Sequence, residues 1–96
     1  MQIYTKQQMT ELAGVFDALG HARRIAIFLA LKRAGSNGLT FGVLATQANI
    51  ANPSLTHHIR MMKKSGLVKS KVKGKFTVFT LDTSQIEQAI KQLKLI

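Results

Sequence analysis

Asn52-Pro53-Ser54-Leu55-Thr56-His57-His58-Ile59-Arg60-Met61-Met62-Lys63-Lys64-Ser65-Gly66 reads as one helix with two unlike faces. Leu55, Ile59 and Met62 fall at i, i+4 and i+7, an apolar stripe that docks such a helix on a core. Asn52 is placed to cap it and Pro53 suits its first position, where the missing N–H has no helical partner anyway. The helix runs to about Ser65, and Gly66 stops it. Opposite the stripe stand Pro53, Ser54, His57, Arg60, Met61 and Lys64, flanked by Asn52, Thr56, His58 and Lys63.

Upstream, Thr40 is a good N-cap for a short helix through Phe41, Val43, Leu44 and Ala48 that ends near Asn49, with Ile50-Ala51 as a tight connection. Gly35-Ser36-Asn37-Gly38 is a turn, because two glycines and an asparagine tolerate left-handed backbone angles. Before it a helix from about His21 to Ala34 is apolar nearly all round and is expected in the centre of the molecule. A first helix, roughly Thr5 to Leu19, carries Met9, Leu12, Phe16 and Leu19 at 3,4,3 spacing and ends at Gly20.

Downstream of Gly66 the period changes from 3.6 to 2, so Leu67 to Val72 and Lys75 to Leu81 form a β-hairpin around Lys73-Gly74. Lysine is not an ideal partner for glycine in a two-residue turn, which leaves loop length and register open by a residue or two. Ser84-Gln85-Ile86-Glu87 has the form of a capping box and opens a last helix with Ile86, Ala89, Ile90 and Leu93 on one face. The expected fold is mainly α with a small β-hairpin, in the order α-α-α-α-β-β-α. A helix-turn-helix followed by a basic hairpin is a winged helix-turn-helix, here one domain over residues 1–96.

The net charge is +10, from 14 Lys and Arg against 4 acids. The acids are Glu11, Asp17, Asp82 and Glu87, so the eleven cations from Arg23 to Lys75 face no acid within their own stretch. A field of that kind draws polyanions, nucleic acid before an anionic membrane, although a basic surface kept for solubility has the same composition. Without cysteine there is no disulfide, thiolate metal site, thiol nucleophile or thiol switch. The first residues have no signal-peptide core, and the longest apolar run, Ile25 to Leu31, is too short to span a bilayer, which fits a cytoplasmic protein with no membrane partner.

On this architecture the second helix of the pair enters the major groove of double-stranded DNA. Asn52, Pro53, Ser54, Thr56 and His57 are the candidates for base readout, and Thr40, His58, Arg60, Lys63 and Lys64 for phosphate contact. Lys69, Lys71, Lys73 and Lys75 recur at every second position and project toward one side and the tip of the wing, as phosphate contacts or as a charged edge that discourages strand pairing. Ser54 and His57 at i and i+3 could be taken for a nucleophile and base, but no acid between Asp17 and Asp82 orients the imidazole, so catalysis is not expected.

Ala18-Leu19-Gly20-His21-Ala22-Arg23-Arg24-Ile25-Ala26-Ile27, Leu39-Thr40-Phe41-Gly42-Val43-Leu44-Ala45, Pro53-Ser54-Leu55-Thr56-His57-His58-Ile59 and Lys64-Ser65-Gly66-Leu67-Val68 together resemble the ArsR family of winged-helix repressors, over about Val15 to Leu81. The resemblance implies a homodimer in which the first and last helices pack across a two-fold axis. Met9, Leu12, Phe16, Ile86, Ile90 and Leu93 are then the candidate dimer contacts, unless both helices merely close the subunit core. It also implies what is missing. Members that sense metals or arsenicals use Cys in the third helix or Asp and His in the last, and this chain has neither pattern, so no metal site and no cofactor are expected. His57 and His58 point about 100° apart on a helix and His21 lies on another element, which does not restore one. His58 matches a position that is commonly His in the family, in a structural or phosphate-contacting role. The expectation is a sequence-specific transcriptional regulator, a repressor that binds a pseudo-palindromic operator, with no legible effector. The alternative is an architectural binder that uses the same charge without reading bases.

Overall fold

The computed structural model describes residues 4–93. Five α-helices and three short strands follow one another as α1 (Lys6–Leu19), α2 (Ala22–Ala34), a 3-10 turn (Gly35–Asn37), β1 (Leu39–Thr40), α3 (Phe41–Ala48), α4 (Asn52–Lys64), β2 (Val68–Lys73), β3 (Phe76–Leu81) and α5 (Ser84–Leu93). The mainly helical winged helix-turn-helix expected from the sequence is present. β1 is an addition to it. This strand pairs antiparallel with β3, Leu39 opposite Phe79, giving a sheet of order β1-β3-β2, and two residues are too few to carry a period-2 signal.

The core draws on every helix. Val15 and Ala18 of α1, Ile27, Ala30 and Leu31 of α2, Leu44 of α3, Leu55, Ile59 and Met62 of α4 and Ala89 of α5 are buried, with Ile50, Leu67, Val68 and Phe79 between them. The α4 stripe is the one read from its spacing. α2 is not enclosed all round, since Ile25 and Leu29 are 40% and 51% exposed on its outer face. On α1, Leu12 and Leu19 pack against the core while Met9 and Phe16 lie exposed, because the buried positions are Val15 and Ala18 instead.

Two like-built helix ends bracket α4. After α3, Asn49 adopts a left-handed conformation (φ 55°, ψ 53°), its N–H donates to the Thr46 carbonyl, and the Ile50 N–H reaches back to Ala45 at 3.1 Å. After α4, Gly66 (φ +80°) repeats the arrangement, with Gly66 N–H to Lys63 and Leu67 N–H to Met62, both at 3.0 Å. Both are Schellman motifs, and in each the residue after the left-handed one, Ile50 or Leu67, is buried and pins the chain to the core. The entry of α4 differs from expectation by one residue. Ala51, not Asn52, is the N-cap, because its carbonyl accepts the first helical bond from Leu55 (2.9 Å); Asn52 and Pro53 are the first two helical residues, and no side chain caps the end.

The hairpin closes at Gly74-Lys75 rather than Lys73-Gly74, with Lys73 opposite Phe76. Gly74 carries φ +61°, the first-position glycine of a two-residue turn whose twist suits the strands. The capping box at Ser84 is not formed. The Ser84 N–H and hydroxyl both donate to Asp82 (2.9 and 2.7 Å), and Glu87 accepts from the Thr83 hydroxyl instead. The Tyr4 hydroxyl donates to the Gln92 carbonyl, joining the start of α1 to the end of α5. No helix among the described residues is long and apolar enough to cross a membrane.

Candidate nucleic-acid interface

With Leu55, Ile59 and Met62 turned inward, α4 leaves Asn52, Pro53, Thr56, His57, Arg60, Lys63 and Lys64 exposed and Ser54 half-buried. These are the residues expected on its outer face, brought together along one side. Their hydroxyls differ in what they have left to offer. Thr56 donates to the Asn52 carbonyl (3.1 Å), so toward a ligand its oxygen is an acceptor. Ser54 accepts from the Arg23 guanidinium (3.1 Å), so its own O–H remains to be donated.

Of the two roles expected of His58, structural or phosphate-contacting, its placement speaks against the second. The residue is 5% exposed and cannot reach a phosphate from that position. Arg24 Nε donates to its Nδ1 at 3.2 Å, and its ring lies 4.7 Å from that of His21 and 5.6 Å from that of His57, centroid to centroid. Burial first, then the neighbouring His21 and Arg24, hold its pKa below the usual 6.5, because a second positive charge there would lose water and meet cations. The three histidines are thus closer than their positions in sequence imply. Nδ1 of His21 takes the Arg23 N–H as the N-cap of α2 and Nδ1 of His58 takes Arg24, and among the described residues no three His, Cys, Asp or Glu side chains gather as a metal would require. Arg23 and Arg24 entered the sequence reading only in the stretch that carries the family resemblance, not as candidate site residues. Nothing in the spacing of residues 31 and 34 positions apart shows that they meet.

The register of β2 and β3 puts Lys69, Lys71 and Lys73 on one face of the wing, opposite Thr80, Val78 and Phe76, and Lys75 in the tip, where its ammonium lies 5.6 Å from the Phe76 ring centroid. One of the four is not uncompensated. Lys69 pairs with Asp82 at 2.9 Å, since the chain returns antiparallel and brings the acid that follows β3 beside the start of β2. Hydrogen bonds from Ser84 and then from Lys69 hold the Asp82 carboxyl well below the usual carboxylate range. The other face of the wing turns toward α4, and Lys63 Nζ bridges the two by donating to Ser70 (2.8 Å). Between them runs an open groove of about 580 Å³, with Phe41, Ile59 and Phe79 on its floor and Thr56, Arg60, Lys63 and Lys64 along its rim. Thr40, at the start of α3, is half-buried and makes no side-chain cap bond.

Of the residues expected at a dimer contact, Met9 (53%), Phe16 (43%) and Leu93 (42%) are exposed, while Leu12, Ile86 and Ile90 are half-buried, Leu12 and Ile86 against the chain's own core.

Comparison with known proteins agrees with this geometry. Residues 19–71 match the model of a helix-turn-helix domain family. The transcriptional repressor SdpR of Bacillus subtilis is 30% identical over 76 residues, covering 79% of this chain and 81% of that protein. An ArsR-like transcriptional regulator from Rhodococcus superposes with a TM-score of 0.81 at 24% identity, over 93% of this chain and 81% of its own. The homodimeric winged helix-turn-helix DNA-binding domain Mb0332 of Mycobacterium bovis gives 0.74 at 16%, over 99% and 88%. The match to the family model, the likeness to SdpR, and a basic wing set beside an exposed helix face converge: the chain belongs to the helix-turn-helix domain family, as a DNA-binding transcriptional regulator of the ArsR type.

Proposed function

We propose that the protein is a repressor that binds a pseudo-palindromic operator as a homodimer and responds to something other than a metal or thiol oxidation. The observation that carries the reading is the outer face of α4, where side chains that donate and accept hydrogen bonds stand at the N-terminal end and cations at the C-terminal end. Asn52, Pro53, Ser54, Thr56 and His57 read base edges in the major groove, with Ser54 acting as donor and Thr56 as acceptor. Thr40, Arg60, Lys63, Lys64, Lys71, Lys73 and Lys75 contact phosphates and set the register. Lys69 adds less, being paired with Asp82.

The dimer is supported by the exposure of Met9, Phe16 and Leu93 on α1 and α5, helices that pack on one another, and by the homodimeric state of the Mycobacterium bovis domain, which shares the fold. Repression is supported by the name of the SdpR relative. The test is selection of bound fragments from genomic DNA, followed by titration of the recovered duplex and a scrambled one at two salt concentrations. A recovered inverted repeat, preferred at both salts, supports the reading. Equal binding of all duplexes identifies an architectural protein instead.

A further inference from the structure

We propose that Arg24 is a positioning residue for the DNA-binding surface, fixing the recognition helix α4 to the end of α1 through His58. The proposal rests on the reading of α4 as the base-reading helix. Arg24 stands in the first turn of α2, and its planar fork spans two other helices: Nε donates to His58 Nδ1 of α4, and Nη1 donates to the Asp17 carbonyl in the last turn of α1, each at 3.2 Å. A guanidinium can hold two acceptors in fixed directions, which a single ammonium on a flexible stem does not reproduce. The Asp17 carbonyl already accepts the Gly20 N–H (3.1 Å) that closes α1, and the guanidinium takes its second lone pair at a helix C-terminus, where a cation is also favoured by the helix dipole. Arg24 therefore joins the helix expected to carry the dimer contact to the helix expected to read DNA.

The link depends on the protonation of His58. For Nδ1 to accept from Arg24 the ring must be neutral, with its proton on Nε2. The groups that face it are His21 from the α1–α2 junction, Arg23 and Arg24 from α2 and His57 from α4 itself, and α1 contributes a backbone carbonyl. All the titratable neighbours are basic. A proton on Nδ1 turns an acceptor into a donor facing a guanidinium, and a ring only 5% exposed cannot turn away into water without moving α4. A small displacement of α4 spoils directional hydrogen bonds to base edges from Ser54 and His57, whereas long lysine side chains keep their phosphates. Protonation of His58 thus lowers discrimination between sequences more than it lowers binding as such.

The experiment is a fluorescence anisotropy titration of a duplex selected from random-sequence DNA and of a scrambled duplex, at constant salt, near pH 8 and near pH 5.8. In the wild type the ratio of the two dissociation constants falls at the lower pH, by less than the factor of about ten that one base contact is worth, because the depressed pKa of His58 leaves part of the rings neutral there. Arg24→Ala lowers the ratio about tenfold already at the higher pH and makes it insensitive to pH, and Arg24→Lys does not restore it. His58→Gln, a neutral acceptor that cannot be protonated, keeps at both pH values the ratio that the wild type shows near pH 8. Circular dichroism verifies that each protein is folded, and if Arg24→Ala does not fold, Arg24→Lys and His58→Gln decide. A discriminating wild type with Arg24→Ala or Arg24→Lys equally discriminating, or His58→Gln retaining the wild-type pH dependence, overturns the proposal alone. A wild type that binds both duplexes alike at both pH values overturns the sequence-specific reading beneath it.

Discussion

Single residues set distinct DNA-binding behaviours. Ser54→Ala or His57→Ala removes a hydrogen-bonding group from the exposed N-terminal face of α4, and each is expected to cut the preference for a cognate over a scrambled duplex by about 1 to 3 kcal/mol. Equal weakening toward both duplexes would move readout elsewhere. Lys71→Ala is expected to weaken all duplexes alike and to reduce the slope of log Kd against log salt by about 0.9, as for one phosphate contact. Lys69→Ala is expected to change the slope less, because Asp82 already holds that ammonium. Gly38 has φ +68°, and a Cβ there would stand 2.5 Å from the Phe79 carbonyl oxygen, where β1 is drawn against β3. Gly38→Ala is therefore expected to cost about 2 kcal/mol or more of stability, read from denaturant midpoints. Most of the exposed α4 residues were legible because helical spacing alone says which side of an amphipathic helix faces out. His58 was not, because its burial follows from α2 laying Arg24 and His21 across it, a contact between residues 34 and 37 positions apart.

At the level of elements, α4 is marked well at its end and less well at its start. Gly66 is a stop by its own backbone freedom, whereas the first helical carbonyl is chosen by where Ile50 is buried, and that depends on the rest of the core. The hairpin is visible from alternation, but its turn lies one residue later than the dipeptide Lys73-Gly74 suggests, since Gly74 satisfies a two-residue turn only in the register that the pairing with β3 selects. The packing of α2 on α4 has a pH signature. His58 has a lowered folded pKa, so the unfolded chain binds the proton more readily; stability is full above about 6.5, the value in the unfolded chain, and declines as pH falls below it. Asp82, depressed in the fold, contributes stability above its ordinary value near 3.8 that is lost as pH falls through the lower folded value. Thermal unfolding near pH 7.5 and near pH 5.5 is expected to give a lower midpoint at the acid value in the wild type and a smaller difference in His58→Gln. An identical difference in both proteins would remove His58 from the account.

For the whole molecule, the radius of gyration of 14.4 Å and extents of 51 × 23 × 22 Å describe an elongated chain with apolar side chains exposed along α1 and α5. Phe16→Glu tests whether a second copy covers them. A carboxylate at a position 43% exposed costs the subunit little, but unpaired inside an interface it costs about 3 to 5 kcal/mol. The expected outcome is a folded monomer by sedimentation with operator binding lost, and a wild type already monomeric at micromolar concentration would show that α1 and α5 serve the subunit alone. The wing, proposed above to contact phosphates, can change length only in certain steps. One residue inserted into β2 alone would turn Lys69, Lys71 and Lys73 from the outer face toward α4 and the core. Two residues added to each strand preserve the faces and carry the tip about 7 Å farther, roughly the span of two phosphates along one strand. A wing that reaches phosphates as proposed would therefore lengthen its reach only in discrete increments.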